Sequence, residues 1–289
     1  MPLIKKILCA TDLSGFSDDL LSACIALCLR FDASLIVFHA VPPPHGSVAR
    51  QIEFERGGER REKISIAQKQ IKKTMAHLDI KWESIVTYGD PVLEAAKAAE
   101  EANPDMVVAA SHGLSVFQQF FLGSVIGRMA QTILRPLLVL PPGNTVFDTT
   151  CPKLKSAHIV IACGLTPSDA RLKKYAAAFS EGFNWKLHLV HVMESPVNEK
   201  LMAVPFGRYD ETQRLLEDKI KTNLNRLMPG EAIILHGVPG EALADYASPH
   251  GIALIIAGGD ARPDGIIPTT SATLLRHLPC AVLIIPVKP

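Results

Sequence analysis

The sequence predicts an α/β fold: two tandem open parallel five-stranded sheets, each with helices on both faces. Three observations carry that prediction. Short apolar, β-branched runs alternate with longer helical patterns. The runs are apolar on both faces, as strands of a covered parallel sheet are. And the whole order of elements occurs twice along the 289 residues.

In the first copy, strands are expected at Ile7–Thr11, Ser34–Ala40, Ser84–Tyr88, Met106–Ala110 and Leu137–Leu140. Each is short and bounded by turn residues or helical patterns. Ser14 or Ser17 can cap the first helix, which continues through "DDLLSACIALCLRF". A polar helix is expected over Ile52–Leu78, with a break at Gly57-Gly58. Pro91 is placed as the first helical residue of "PVLEAAKAAEEA", and another helix begins near Ser124.

In the second copy, strands are expected at His158–Cys163, Lys186–Val192, Ala232–His236, Ala253–Gly258 and Ala281–Ile285. Pro167 opens the helix "PSDARLKKYAAAF", with Thr166 as its cap. Matching residues support a true repeat of about 145 residues. His39 matches His191 at an offset of 152, Gly89 and Pro91 match Gly237 and Pro239 at 148, and Pro141 matches Pro286 at 145. The drift is what small loop deletions produce. The expected domains are 1–143 and 156–289, joined through "GNTVFDTTCPKLK".

Composition narrows the function classes. Hydrophobic content of 48% is ample for packed cores, and the net charge of +1 gives no basic surface for nucleic acid or an anionic membrane. No apolar run reaches the roughly 18–20 residues of a membrane span. The opening "MPLIKKILCATD" reads as a strand that reaches Asp12 quickly, without a signal-peptide core, so a cytoplasmic location is expected. Of the six cysteines, Cys24 and Cys28 share a helix face, but no His or further Cys lies at ligand spacing. Reduced core thiols are the expectation, and no metal site is read.

Open parallel sheets bind ligands at the carboxyl ends of strands, where the strand order reverses. If the first and fourth strands are neighbours there, Thr11–Ser14 and Ala110–Gly113 face each other across one crevice. The stretch "ASHGLSVFQQFFLGSV" has the properties of a phosphate loop. Glycine lets the backbone approach an anion, and Ser124 and Val125 stand at a helix start, where free amides and the helix dipole favour phosphate.

"KKILCATDLSGFS", "LIVFHAV", "YGDPVLEA" and "ASHG-x9-GS" resemble the universal stress proteins, over the whole chain as a tandem pair. That resemblance implies a Rossmann-like fold of the adenine-nucleotide α-hydrolase-like kind. Its ATP-binding members carry G-x2-G-x9-G-[ST], which Ala110, Gly113, Gly123 and Ser124 match with Ala in the first place. The resemblance implies ATP or AMP, with Mg²⁺ as a possible companion. Asp12 would accept from an adenine edge, flanked by Ala10 and Thr11. Ala40 would line the adenine pocket, and Ala109, Ala110 and His112 would lie toward ribose or phosphate. The insert "LSVFQQFFL" has no Lys or Arg, so amides, Mg²⁺ or a distant Arg (Arg50, Arg56, Arg60 or Arg61) would meet the phosphate charge.

In the second copy the position of Asp12 is Gly164. Gly258 keeps the first motif position, Ala261 replaces the second glycine, Pro268 the third, and Thr269 follows. Pro268 has no amide to give an anion. With Asp260 at its edge, this site is read as degenerate. Cys163 there is read as inert. His39 and His191 are expected to bond backbone rather than to catalyse.

No nucleophile elbow, H-E-x-x-H or Walker lysine occurs, and no residue is a committed base. No catalytic residue is assigned; at most slow ATP hydrolysis is expected. The alternative function is a stress scaffold that binds proteins without nucleotide. The apolar last strands, "PLLVLPP" and "AVLIIPVKP", would be unprotected edges alone. They are expected to pair within the chain as a pseudo-dimer, and a homodimer of chains is a further possibility.

Overall fold

The computed structural model describes residues 3–14, 17–44, 58–111, 124–143, 146–147, 157–167, 169–194, 206–260 and 269–287. The first half runs β1 Lys6–Ala10, α1 Ser17–Phe31, β2 Ser34–Val41, α2 Glu59–Met75, β3 Trp82–Tyr88, α3 Pro91–Ala102, β4 Met106–Ala110, α4 Ser124–Thr132 and β5 Leu137–Leu140. The second runs β6 His158–Ala162, α5 Asp169–Phe183, β7 Lys186–Met193, α6 Phe206–Leu227, β8 Glu231–His236, α7 Pro239–Ala247, β9 Ile252–Asp260, α8 Thr269–His277 and β10 Ala281–Val287.

The strands form one ten-stranded sheet in the order β3-β2-β1-β4-β5-β10-β9-β6-β7-β8. Within each half every ladder is parallel. At the centre β5 and β10 run antiparallel, with Leu138 opposite Leu283. All four β5 residues are buried. Pairing satisfies the backbone groups that two lone edges would have left open.

The helices divide between two cores. Leu27, Met75, Phe179 and Leu224, from α1, α2, α5 and α6, belong to the core on one face of the sheet. Ala95, Met129, Leu243 and Leu274, from α3, α4, α7 and α8, belong to the core on the other. The first core runs across both halves. Phe31 of α1 meets Phe179 of α5 edge-on at 5.4 Å, and Phe147 lies 5.5 Å from Phe183 and 5.9 Å from Trp185. A Cβ on Gly182 would come within 3.0 Å of Phe31. Tyr175 Oη donates to Asp105 O at 3.1 Å, and Arg171 donates to Pro286 O.

Repeat symmetry reaches the backbone. Leu13 and Leu165 both have φ of 56°, Asp32 and Asn184 lie at 52° and 55°, and Gly89 and Gly237 are both positive. A bulky residue such as leucine is rarely held there, so the turns after β1 and β6 are each over-determined by neighbouring bonds.

Some element boundaries differ from expectation. The polar helix begins at Glu59, after Gly58 at φ 80°; residues 52–57 of the expected span lie outside the described residues. Left-handed backbone at Gly58 falls at the break expected at Gly57-Gly58. α5 begins at Asp169 rather than Pro167. Thr166 O accepts from Asp169 N at 3.0 Å, so the Thr166 carbonyl leads into α5. Five free cysteines, Cys9, Cys24, Cys28, Cys163 and Cys280, are buried, and among the described residues no group of three or more His, Cys, Asp or Glu could hold a metal.

Candidate functional site

β1 lies between β2 and β4, so the strand order reverses between β1 and β4. That is where a crevice opens at the carboxyl ends, because the helix after β1 covers one face and the helix after β4 the other. Ala10 pairs with Ala109, and Ala110 pairs with Leu140. Thr11 N continues the ladder to Phe38 O at 3.0 Å, and Ser111 N reaches Leu140 O at 2.9 Å. Ala10, Thr11, Asp12, Ala109 and Ala110 therefore stand together on two adjacent strand ends. Ala40, buried on β2 opposite Thr87 of β3, is one strand further out. Ala110 ends β4 without left-handed backbone, so its methyl is accommodated there.

The turn after β1 is built from its own side chains. Thr11 Oγ1 accepts from Leu13 N at 3.0 Å. Asp12 Oδ1 accepts from Ser14 N at 3.0 Å and from Ser14 Oγ at 2.7 Å. His39 Nδ1 donates to Thr11 O at 2.9 Å, and Gln70 Nε2 to Leu13 O at 3.2 Å. Such bonds hold Leu13 in its strained conformation and fix the Asp12 carboxylate at the strand end. His39 is thus a backbone-bonded positioning group, as expected.

His112, Gly113 and Gly123 lie outside the described residues. Ser124 is the first residue of α4, and Val125, exposed, follows it. Sequence reasoning missed the pair that holds this helix. Arg128 of α4 donates Nη1 to Asp90 Oδ2 and Nη2 to Asp90 Oδ1, both at 3.0 Å. The same Asp90 caps α3, accepting from Val92 N and Leu93 N at 3.0 and 3.1 Å. The Arg128 bonds hold the Asp90 carboxyl below the usual carboxylate range, helped by the cap bonds. Of the distant arginines considered for phosphate, Arg60 lies over the Tyr88 ring at 4.6 Å, and Arg50 and Arg56 lie outside the described residues.

The second half is organised differently at each of these points. Gly164 follows the end of β6 where Asp12 follows β1. A carboxylate from further along the chain nevertheless serves this turn. Asp169, buried at the start of α5, turns its carboxylate back and accepts from Gly164 N and Thr166 N, each at 3.3 Å. Ser14 and Thr166 occupy equivalent positions, so both turns give this amide to a carboxylate, supplied from the strand end in one and from the helix start in the other. Burial raises the Asp169 carboxyl, against the amide bonds that lower it. The exchange is readable in retrospect: at an offset of 152, Asp12 faces Gly164 and Ser17 faces Asp169.

His191 Nδ1 donates to Cys163 O at 2.8 Å, as His39 does to Thr11 O. Burial, reinforced by Asp169, pushes the Cys163 thiol up to about 12, which leaves it unreactive at neutral pH. Gly258, near the end of β9, accepts from Ser271 Oγ at 2.9 Å. Asp260 ends β9 and Thr269 begins α8, while Ala261 and Pro268 lie outside the described residues. The Asp90–Arg128 pair has no counterpart: the equivalent positions are Val238 and Thr273. There the helices meet directly, and a Cβ on Gly240 would lie 2.5 Å from Thr273 Cβ.

The profile of the Universal stress protein family matches this chain twice, over residues 3–141 and 156–286. The Universal stress protein MJ0577 of Methanocaldococcus jannaschii is 31% identical over 75 residues, which are 26% of this chain and 46% of that relative. The chain thus spans about half the length of that relative. Among solved structures, a universal stress protein from Archaeoglobus fulgidus is similar at a TM-score of 0.68 and 20% identity, covering 96% of this chain and 95% of the other. A functionally unknown protein from Pseudomonas aeruginosa is similar at 0.65 and 13%, covering 98% and 92%. At those identities the structural likeness speaks to the fold.

Proposed function

Because the chain belongs to the universal stress protein family and carries its domain twice in tandem, we propose that it binds one adenine nucleotide, ATP or AMP, in its amino-terminal half and acts in stress response or signalling. The domains are taken as 1–143 and 156–289. One observation carries the reading: Asp12 and Ala110 follow and end the two neighbouring strands at which the sheet order reverses. The Asp12 carboxylate accepts from the adenine edge. Ala40 lines the base pocket. Ala110, His112 and Gly113 lie on the ribose side, and Gly123, Ser124 and Val125 offer amides to the phosphates.

The donor set fits a nucleotide: a fixed carboxylate at one end and a helix start at the other. Mg²⁺ would come with the phosphates, since among the described residues no acidic cluster forms a site of its own. The second half is assigned no nucleotide, because Asp169 occupies its turn amides and Pro268 replaces a donor. Its pairing with the first half through β5 and β10 supports reading the chain as a pseudo-dimer. With no residue of the sequence read as a committed base, ATP hydrolysis is at most slow.

A second reading is a scaffold that acts through protein contacts. It is favoured by Ala110 in the place of glycine and by the lack of Lys or Arg between Leu114 and Leu122. Mass analysis of the small molecules released on denaturing freshly purified protein separates the two. An adenine nucleotide near one equivalent per chain supports the first reading. Its absence, with no nucleotide taken up from solution, supports the scaffold.

A further inference from the structure

Resting on that nucleotide reading, we infer that Asp90 and Arg128 form a positioning clamp, which holds the start of α4 where its amides can meet the ligand's phosphates. The geometry is specific. The guanidinium meets both carboxylate oxygens at 3.0 Å, a two-pronged contact that fixes direction as well as distance. Asp90 is itself immobilised, because its Oδ1 also caps α3 through Val92 N and Leu93 N. Arg128 stands one turn after Ser124, so anchoring it anchors the first turn of α4. α4 has only nine residues, a length that tertiary contacts must hold in place.

The repeat supplies an internal control. In the half whose loop is degenerate, both partners are gone, replaced by Val238 and Thr273. Close approach of Gly240 to Thr273 holds α7 and α8 together there instead. The polar pair occurs in the half whose sequence retains Gly113, Gly123 and Ser124. Both guanidinium prongs that the structure shows bonded go to the Asp90 carboxylate. On the clamp reading Arg128 acts through the helix it holds, and direct contact with phosphate is the alternative that the variants below separate.

Two variants of the full chain test this. Arg128→Gln removes the prongs. Asp90→Asn removes the charge but keeps an oxygen that can cap α3. Titration with ATP and, separately, with adenosine is expected to show about two- to fivefold weaker ATP binding in each variant, unchanged adenosine binding, and no further loss in the double variant. Amide exchange is expected to speed up over residues 124–128 in both variants and to stay unchanged in α1. If Asp90→Asn leaves or tightens ATP binding while Arg128→Gln weakens it, Arg128 touches phosphate directly and the clamp is overturned. Equal losses for ATP and adenosine, or unchanged exchange over 124–128, also overturn it. If the native chain takes up no nucleotide, the nucleotide reading fails, and the exchange data alone decide whether the clamp exists.

Discussion

Replacing Phe179 by alanine tests whether the two halves fold as one body. Phe179 is fully buried and contacts Phe31 of the first half at 5.4 Å, Phe147 at 6.0 Å and Phe183 at 6.1 Å. Truncating a buried phenylalanine costs about 3–5 kcal/mol, since the lost transfer energy adds to a cavity that neighbours fill only in part. Neighbouring rings are rigid, which favours the upper part of that range. Unfolding entropy of about 2.1 cal/mol/K per residue over 289 residues is about 0.6 kcal/mol/K, so Tm should fall by about 5–8 °C. Scanning calorimetry of native chain and variant reads this directly. Because Phe31 and Phe147 share the cluster, one transition should move as a whole. Two transitions of which only one moves, or a fall under about 2 °C, would refute a common core.

Other parts of the molecule give independent checks. Gly240→Ala places a methyl 2.5 Å from Thr273 Cβ and 3.0 Å from Thr270 O, and should cost about 1–3 kcal/mol in urea unfolding; a neutral result would show that α7 and α8 separate freely. His188 lies 2.6 Å from His158 through Nε2 and 2.8 Å from Tyr246 Oη through Nδ1. Burial, then His158, His250 and Lys186, hold it below the ordinary imidazole value, against the pull of Glu231. The unfolded chain therefore binds the proton more readily. This contribution is complete above about pH 6.5 and lost as pH falls from there toward the depressed folded value. Urea midpoints at pH 7.5 and 5.5 should differ more in the native chain than in His188→Gln, and equal pH dependence would count against it. Burial pushes both Cys163 and Cys280 up to about 12, so a thiol reagent at pH 8 should label them only after unfolding, as peptide mapping would show.

The fold was legible because it rests on local patterns. Runs such as "LIVFHAV" and "AVLIIPV" are apolar on both faces, and only a covered parallel sheet accepts several of them in alternation with helices. Apolar last strands likewise pointed to a partner, and β5 and β10 are each other's. What escaped the sequence depends on residues brought together from far apart. Phe31 and Phe179 end two expected helices and Phe147 lies in the expected connection, and nothing in their spacing announces one cluster. Asp90 caps α3 and Arg128 lies on α4, and only the packing of α3 against α4 makes them a pair. Asp169 was hidden for a different reason. A comparison by position sees Gly164 in place of Asp12, whereas the turn needs only a carboxylate within reach of its amides, and a helix start five residues on can supply one.

Calorimetric titration of ATP into the native chain and into Asp12→Ala tests the nucleotide site most directly. The native chain should take up one equivalent per 289 residues. Losing a charge-assisted hydrogen bond of about 1.5–3 kcal/mol should weaken binding about ten- to hundredfold in the variant. A native chain that binds no adenine nucleotide, one that binds two equivalents, or an Asp12→Ala chain with native affinity would contradict a single site built on the β1–β4 crevice.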